Sequence, residues 1–170
     1  MMRRLILSFF GAGFLRPAPG TWGSLAAMPA AWALYQIAGV IGLVAGAAIL
    51  FWVGTSATAR ETANAQDHDP SWIVIDEVVG QWIALLPVAI GAWNAGLSPL
   101  RLWPGIIAGF LLFRLFDIWK PWIIGRADRR GDALGVMLDD VWAGVFAALG
   151  VVALATLAHA GFIFFVADQP

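Results

Sequence analysis

The sequence predicts an all-α membrane protein, a compact bundle of about four to five hydrophobic helices with an N-terminal interfacial segment, built as one integral-membrane domain over residues 1–170. Three observations predict it. Of the 170 residues, 61% are hydrophobic and only 12% are charged, against roughly 25% charged in an ordinary soluble domain. The charges gather near the ends of long apolar runs, as the cost of placing charge in hydrocarbon requires. Ten tryptophans suit the level at which a bilayer meets water. A formal net charge of −1 leaves no basic stripe for neutralising a nucleic-acid backbone, so no nucleic-acid partner is expected. The absence of cysteine removes disulfides, thiolate metal sites and cysteine nucleophiles. Membrane lipids are the expected surroundings, and no obligate protein partner is evident.

The elements follow from the apolar runs. Met1-Met2-Arg3-Arg4 precedes a short apolar stretch that Arg16 interrupts, without a small-x-small cleavage site before Pro17; this reads as a short interfacial helix with its arginines among headgroups rather than a cleaved leader. Between Arg16 and Arg60 lie 43 uncharged residues, enough for two crossings of about 20 residues joined near Gly39. The first, about 24–37, is short, which suits a buried or re-entrant helix rather than a full span, and Pro29 bends it or marks its start. The second, about 40–58, carries Gly42 and Gly46 at a spacing that lets another helix approach closely. A polar stretch over 59–71 precedes a third run at 78–93, a loop at 94–99 rich in turn residues, and a fourth run at 103–119 with Gly105 and Gly109 four apart. The longest charged segment, 120–140, leads into a last run at 141–166. Five crossings in this order put nine of the ten Lys and Arg residues on one side, with only Arg101 opposite, so the positive-inside rule makes that side cytoplasmic.

Three acidic clusters share this side: Asp76-Glu77, Asp117, and Asp139-Asp140. A carboxylate beside hydrocarbon is costly to keep ionised unless a cation or donors compensate it, and several at one level suggest a shared hard cation such as Mg²⁺. Either pair by itself also suits capping of a helix N-terminus. The segments around Asp76-Glu77 and Asp139-Asp140 echo each other, Ile-Asp-Glu-Val against Leu-Asp-Asp-Val. Arg114 and Asp117 are three apart on one helical face; they form a structural ion pair, or else Asp117 faces a cation while Arg114 and Lys120 bind an anion such as phosphate. Pro19-Gly20-Thr21-Trp22-Gly23-Ser24 places glycines and two hydroxyls just before a helix, a cap or a phosphate cradle. His68, between Asp67 and Asp69, is a metal ligand, a proton donor or a solvated loop residue, and isolated His159 packs a helix or sits at the interface. Arg126, Arg129 and Arg130 hold a loop at anionic headgroups or guide a charged lipid inward.

Taken together, Pro19-Gly20-Thr21-Trp22-Gly23-Ser24-Leu25-Ala26-Ala27, Ile73-Val74-Ile75-Asp76-Glu77-Val78-Val79-Gly80, Phe113-Arg114 with Asp117 and Trp119-Lys120-Pro121, and Gly135-Val136-Met137-Leu138-Asp139-Asp140 with Ala143-Gly144 make the chain similar to the phosphatidylglycerophosphatase A family over nearly its whole length. The resemblance implies a Mg²⁺-dependent phosphatase that takes phosphatidylglycerophosphate to phosphatidylglycerol at the cytoplasmic face of a bacterial inner membrane, in phospholipid biosynthesis. Asp76, Glu77, Asp117, Asp139 and Asp140 are then the expected catalytic and metal residues, and Thr21, Ser24, Arg114, Lys120 and Arg126 the expected substrate contacts. The sequence departs from the family pattern at Ile123, where proline is usual, and at Asp132-Ala133, where paired glycines are common. Two alternatives are an alcohol phosphotransferase of lipid synthesis, whose characteristic aspartate array is absent, and a small cation-binding transporter, for which carboxylates nearer mid-bilayer are expected.

Overall fold

A computed structural model describes residues 1–64 and 69–167, with side chains through Gly161. Its helices are α1 (Met2–Leu7), α2 (Pro19–Thr62), α3 (Ile75–Asn94), α4 (Trp103–Trp119), α5 (Ile123–Asp128) and α6 (Ala133–Ala167), with single 3₁₀ turns at Ala12–Phe14 and Pro99–Leu102. Four of these are long and apolar enough to cross a membrane. The predicted helical membrane bundle is therefore the observed fold.

Helix α2 is two crossings. Gly39 breaks it with φ 63° and ψ −157°, a conformation that a residue with a Cβ reaches only with strain. A Cβ on Gly46 would lie 2.7 Å from Leu34 Cδ2, twelve residues earlier, whereas twelve residues of straight helix span about 18 Å. The arms 19–38 and 40–62 thus fold back on each other, and Gly46 is small because Leu34 and Trp82 press against it. The first arm begins at Pro19, not near residue 24, because proline is well placed at a first helical position. Its 20 residues reach about 30 Å, a full crossing rather than a short or re-entrant one. Thr21 and Ser24 accordingly lie inside the opening turns of this helix, not in a loop ahead of it.

Helix α3 is the axis of the bundle. Two-thirds of its most apolar stretch (67%) is buried inside the protein, against 11–22% for the other long helices. One side meets α2 through Val78, Trp82, Leu85 and Ala89, and the buried Trp82 indole donates to the Ala27 carbonyl at 2.9 Å. The opposite side meets α4 and α6, where Ala84, Phe113, Ala143 and Ala147 form a second cluster with Ile124 of α5. Large apolar side chains such as Ile37, Ile41, Trp52, Ile107, Ile118, Leu149 and Leu157 point outward, a surface that belongs in lipid.

A close backbone contact joins α3 to α6. A Cβ on Gly144 would lie 2.4 Å from the Gly80 carbonyl oxygen, and one on Gly80 would lie 2.6 Å from the Asp140 carbonyl oxygen and 2.4 Å from Phe113. These are backbone and ring atoms with little room to move, so only glycine permits the approach. Both helices start at the same end of the bundle, so the residues one turn earlier, Asp76 and Asp140, come together there.

Two further sequence expectations change. The N-terminal segment is docked on the protein: Leu7 and Ser8 are fully buried, Val74 N–H donates to the Leu7 carbonyl at 2.8 Å, and Arg3 and Arg4 pair with Glu61 while Arg4 lies over the Trp72 ring. Its arginines are therefore engaged by a carboxylate, and Met2, Leu5 and Phe10 remain exposed. Helix α6 begins at Ala133, eight residues before the apolar run, because Asp132 caps it by accepting the Gly135 N–H at 2.7 Å. Asp139 and Asp140 are consequently well inside the helix and are not caps. The Arg130 guanidinium, hydrogen-bonded to Asp132, holds that carboxyl below the usual carboxylate range.

The α3–α6 crossing predicts that Gly144→Val destabilises the protein by about 1–3 kcal/mol through overpacking, read as a lower midpoint of thermal unfolding in detergent. Gly161→Ala, where a Cβ would meet nothing within 4 Å, is the control and leaves the midpoint within about 0.5 kcal/mol of the parent. Equal midpoints for both variants would refute the close crossing.

Candidate active site

Three helix ends and the second turn of α6 build one polar pocket. The start of α2 brings Pro19 and Gly20, the start of α3 brings Asp76 and Glu77, the end of α4 brings Arg114, Asp117 and Lys120, and α6 brings Asp139 and Asp140. Asp69, Ser71 and Ile73, ahead of α3, complete the wall of a cavity of about 300 Å³. The three acidic clusters, separated by up to 64 positions in the chain, thus meet at one end of the bundle.

Their carboxylates are not equivalent. Asp76, Glu77 and Asp140 each offer an oxygen within 4.8 Å of the others. Asp76 and Asp140 are buried, and Glu77 Oε2 and Asp140 Oδ1 are buried with no hydrogen-bond partner in the chain. Buried anionic oxygens left without donors are costly, and an all-oxygen set of this kind suits a hard divalent cation. Asp117 and Asp139 instead face cationic side chains. Arg114 Nη1 lies 2.6 Å from Asp117 Oδ2, and Lys120 Nζ donates to Asp139 Oδ2 at 2.7 Å and also to Asp128.

Each pair is arranged alike at the backbone. Asp76 Oδ1 accepts the Glu77 N–H at 3.1 Å, and Asp139 Oδ1 accepts the Asp140 N–H at 2.9 Å. The echo between the two sequence segments therefore corresponds to a common local geometry on two helices that cross. Gly20 is tailored to this cluster, since a Cβ there would lie 2.2 Å from Glu77 Oε1 and 3.2 Å from Arg114 Nη1.

The cations are fixed from behind. The Ser24 hydroxyl donates to the Gly20 carbonyl at 2.8 Å and accepts from Arg114 Nη1 at 3.5 Å, so Ser24 steadies Arg114 and does not itself line the pocket. Lys120 ends α4 in the left-handed conformation, with φ 49°, because Pro121 disfavours continuation of the helix. A lysine held there is strained, and its two carboxylate partners anchor it. Partial burial works against the charge on Lys120, but the hydrogen bonds to Asp128 and Asp139 outweigh it and raise its pKa above the ordinary lysine value.

Of the expected site residues, Asp76, Glu77, Asp117, Asp139, Asp140, Arg114 and Lys120 converge on the pocket. Thr21 and Arg126 do not line it: Thr21 is half-buried on the first turn of α2, and Arg126 is exposed on α5. His68 and Asp67 lie outside the described residues. His159 faces outward, its Nδ1 3.2 Å from the carbonyl oxygen of Ala155 one turn earlier. Asp128 was missed by sequence reasoning. Its only local signal was its place in a charged loop, and the contact with Lys120 depends on the turn after Pro121.

Residues 5–155 match the family model of phosphatidylglycerophosphatase A. A protein of that name from Haemophilus influenzae is 38% identical over 146 residues, covering 85% of this chain and 83% of the relative. Another from Escherichia coli is 35% identical over 148 residues, covering 82% and 75%. A putative phosphatidylinositol-3-phosphatase from Bacteroides thetaiotaomicron is 38% identical over 145 residues, covering 84% and 86%. No solved structure matches the chain. A helical bundle with an outward apolar surface, a polar pocket of carboxylates and cations at one end, and a family match over most of the sequence lead to one conclusion: the chain belongs to the phosphatidylglycerophosphatase A family of membrane lipid phosphatases.

Proposed function

We propose that this phosphatase hydrolyses phosphatidylglycerophosphate to phosphatidylglycerol and inorganic phosphate, with Mg²⁺ as cofactor, at the cytoplasmic face of a bacterial inner membrane. The observation that carries the reading is the meeting of Asp76, Glu77 and Asp140 beside Arg114 and Lys120 in one pocket. The unpartnered buried oxygens of Glu77 and Asp140 fit a divalent cation. When bound, such a cation supplies Lewis-acid stabilisation of phosphoryl charge and makes water more acidic.

The chain's own residues supply the remainder. Arg114 and Lys120 neutralise the non-bridging oxygens of the terminal phosphate, the first as a planar fork and the second as a point charge. Asp117 and Asp139 orient those cations through the ion pairs already described. Attack by water forms one P–O bond while the bond to the glycerol oxygen breaks. The water gives up a proton and the departing alkoxide gains one, with the carboxylate cluster as the nearest set of bases. Acyl chains remain in hydrocarbon while the headgroup reaches the bundle end, so the lipid need not be extracted into water. Nine of the ten basic residues fall at that end, which supports the cytoplasmic orientation.

The reading predicts release of phosphate from phosphatidylglycerophosphate in detergent micelles with Mg²⁺, and loss of release with excess EDTA. Phosphatidylinositol 3-phosphate is the comparison substrate; faster turnover of that lipid would transfer the assignment to the activity named for the Bacteroides relative. Glu77→Gln and Asp140→Asn each lower kcat by about 100-fold or more while the proteins still insert and elute as folded bundles. Near-parental rates in both would remove the carboxylate trio from the mechanism.

The raised pKa of Lys120 has a sign that can be tested. Its stabilising charge is fully present below the unfolded lysine value, about 10.4, and is lost only as pH rises through the higher folded value. Lys120 therefore does not titrate between pH 6 and 9. At each pH over this range kcat/KM of Lys120→Met should be about 10- to 100-fold below the parent. A limb present in the parent and absent in the variant would contradict the assignment.

A further inference from the structure

One buried polar side chain has no role in the chemistry described so far. Gln81 is fully buried, and both its Nε2 and Oε1 lack a hydrogen-bond partner. A buried amide left unpaired on both sides costs stability that a similarly shaped apolar side chain does not. Its position on α3 is informative. Gln81 follows Glu77 by four residues and precedes Leu85 by four, so the three share one face of the helix. Glu77 lines the polar pocket and stands against Gly20 and Arg114. Leu85 packs on Gly109 of α4 and, with Val88, Ala89, Met28, Trp32 and Ile106, lines a cavity of about 370 Å³ with almost wholly apolar walls. Gln81 therefore stands on α3 about 6 Å beyond Glu77 and about 6 Å before Leu85, enclosed between the levels of the polar pocket and the apolar cavity and lining neither wall.

Down this face the order is carboxylates, then an amide, then hydrocarbon. A phosphatidylglycerophosphate molecule has the same order from its terminal phosphate inward: phosphate, a glycerol with a free hydroxyl, a phosphodiester, and acyl chains. We propose that Gln81 is a specificity-determining residue that binds the glycerol phosphodiester linker of the substrate, its Nε2 donating to a phosphodiester oxygen and its Oε1 accepting from the linker hydroxyl. Arg114 Nε, also buried and unpartnered, adds a second donor beside the pocket. Phosphatidic acid, whose phosphate joins the diacylglycerol directly, has neither linker group and leaves the amide unpaired. This assignment rests on the proposed substrate, and it adds the means by which one phosphomonoester lipid is chosen over another.

The test compares kcat/KM for phosphatidylglycerophosphate and phosphatidic acid, with matched acyl chains in one detergent with Mg²⁺, in the parent and in Gln81→Met, an unbranched apolar side chain of similar volume. The parent is expected to prefer the linker-bearing lipid by at least about 10-fold, and Gln81→Met to lose about 10- to 100-fold on that lipid alone. The thermal midpoint of substrate-free Gln81→Met is expected to equal or exceed that of the parent, because an unpaired amide has been removed. Equal loss on both lipids with a lowered midpoint would make Gln81 a packing residue and overturn the proposal. If the variant does not fold, the parent decides: no preference between the two lipids overturns the proposal, and a preference abolished when the linker hydroxyl is methylated supports it. Phosphate release from neither lipid by folded parent protein would instead overturn the proposed function on which the inference stands.

Discussion

The rest of the site depends on how closely α3 and α6 approach at Gly80 and Gly144. Two glycines facing each other allow backbone to lie on backbone, and the helices run in the same direction, so whatever stands one turn earlier on each is brought together at the bundle end. On α3 that residue is Asp76, with Glu77 beside it, and on α6 it is Asp140. Like charges would ordinarily hold these helices apart. Packing of Phe113, Ala84, Ala143 and Ala147 around the crossing keeps the carboxylates at a distance that a shared hard cation can span. The stability of the crossing and the chemistry of the pocket are thus two results of the same contact.

The cationic side of the pocket is organised differently. Arg114 and Lys120 come from the turn before the last of α4 and from the residue that ends it, and each is aimed by a carboxylate and backed by a further group. The arrangement separates two duties among five acidic residues. Three leave oxygen atoms toward one another, and two pair with Arg114 and Lys120. Both duties require the low dielectric of a bundle end, where unscreened charges interact strongly, and both are compatible with a lipid whose headgroup alone must leave the hydrocarbon.

Close packing by small residues recurs away from the site. Gly46 receives Leu34 and Trp82 where the two arms of α2 fold together, and Gly105 and Gly109 receive Val88, Ala84 and Leu85 where α4 lies on α3. In a membrane there is little hydrophobic drive between helices, so such contacts and a few buried hydrogen bonds, such as Trp82 to Ala27, hold the bundle together. They also leave the apolar cavity between the first arm and α4 below the polar pocket.

Much was legible in the sequence because its signals are local and strong. Apolar runs of crossing length, tryptophans at their ends and one-sided basic residues determined the helical bundle, the reversal near Gly39 and the end at which charge collects. The clusters at Asp76-Glu77, Asp117 and Asp139-Asp140 were visible for the same reason, since isolated charges stand out in hydrophobic sequence. Helix starts were less legible: helices begin at Pro19 and Ala133, five and eight residues before the expected positions, because a first-turn proline and the Asp132 cap act through backbone groups that hydropathy does not register. Only the tertiary structure decided which carboxylates meet as a trio and which face Arg114 and Lys120, that Ser24 supports from behind while Thr21 and Arg126 stay outside, that Asp128 holds Lys120, and that Gln81 is buried without a partner. Those assignments depend on the rotation of each helix about its axis and on contacts across tens of residues, which the spacing of charges along one chain does not contain.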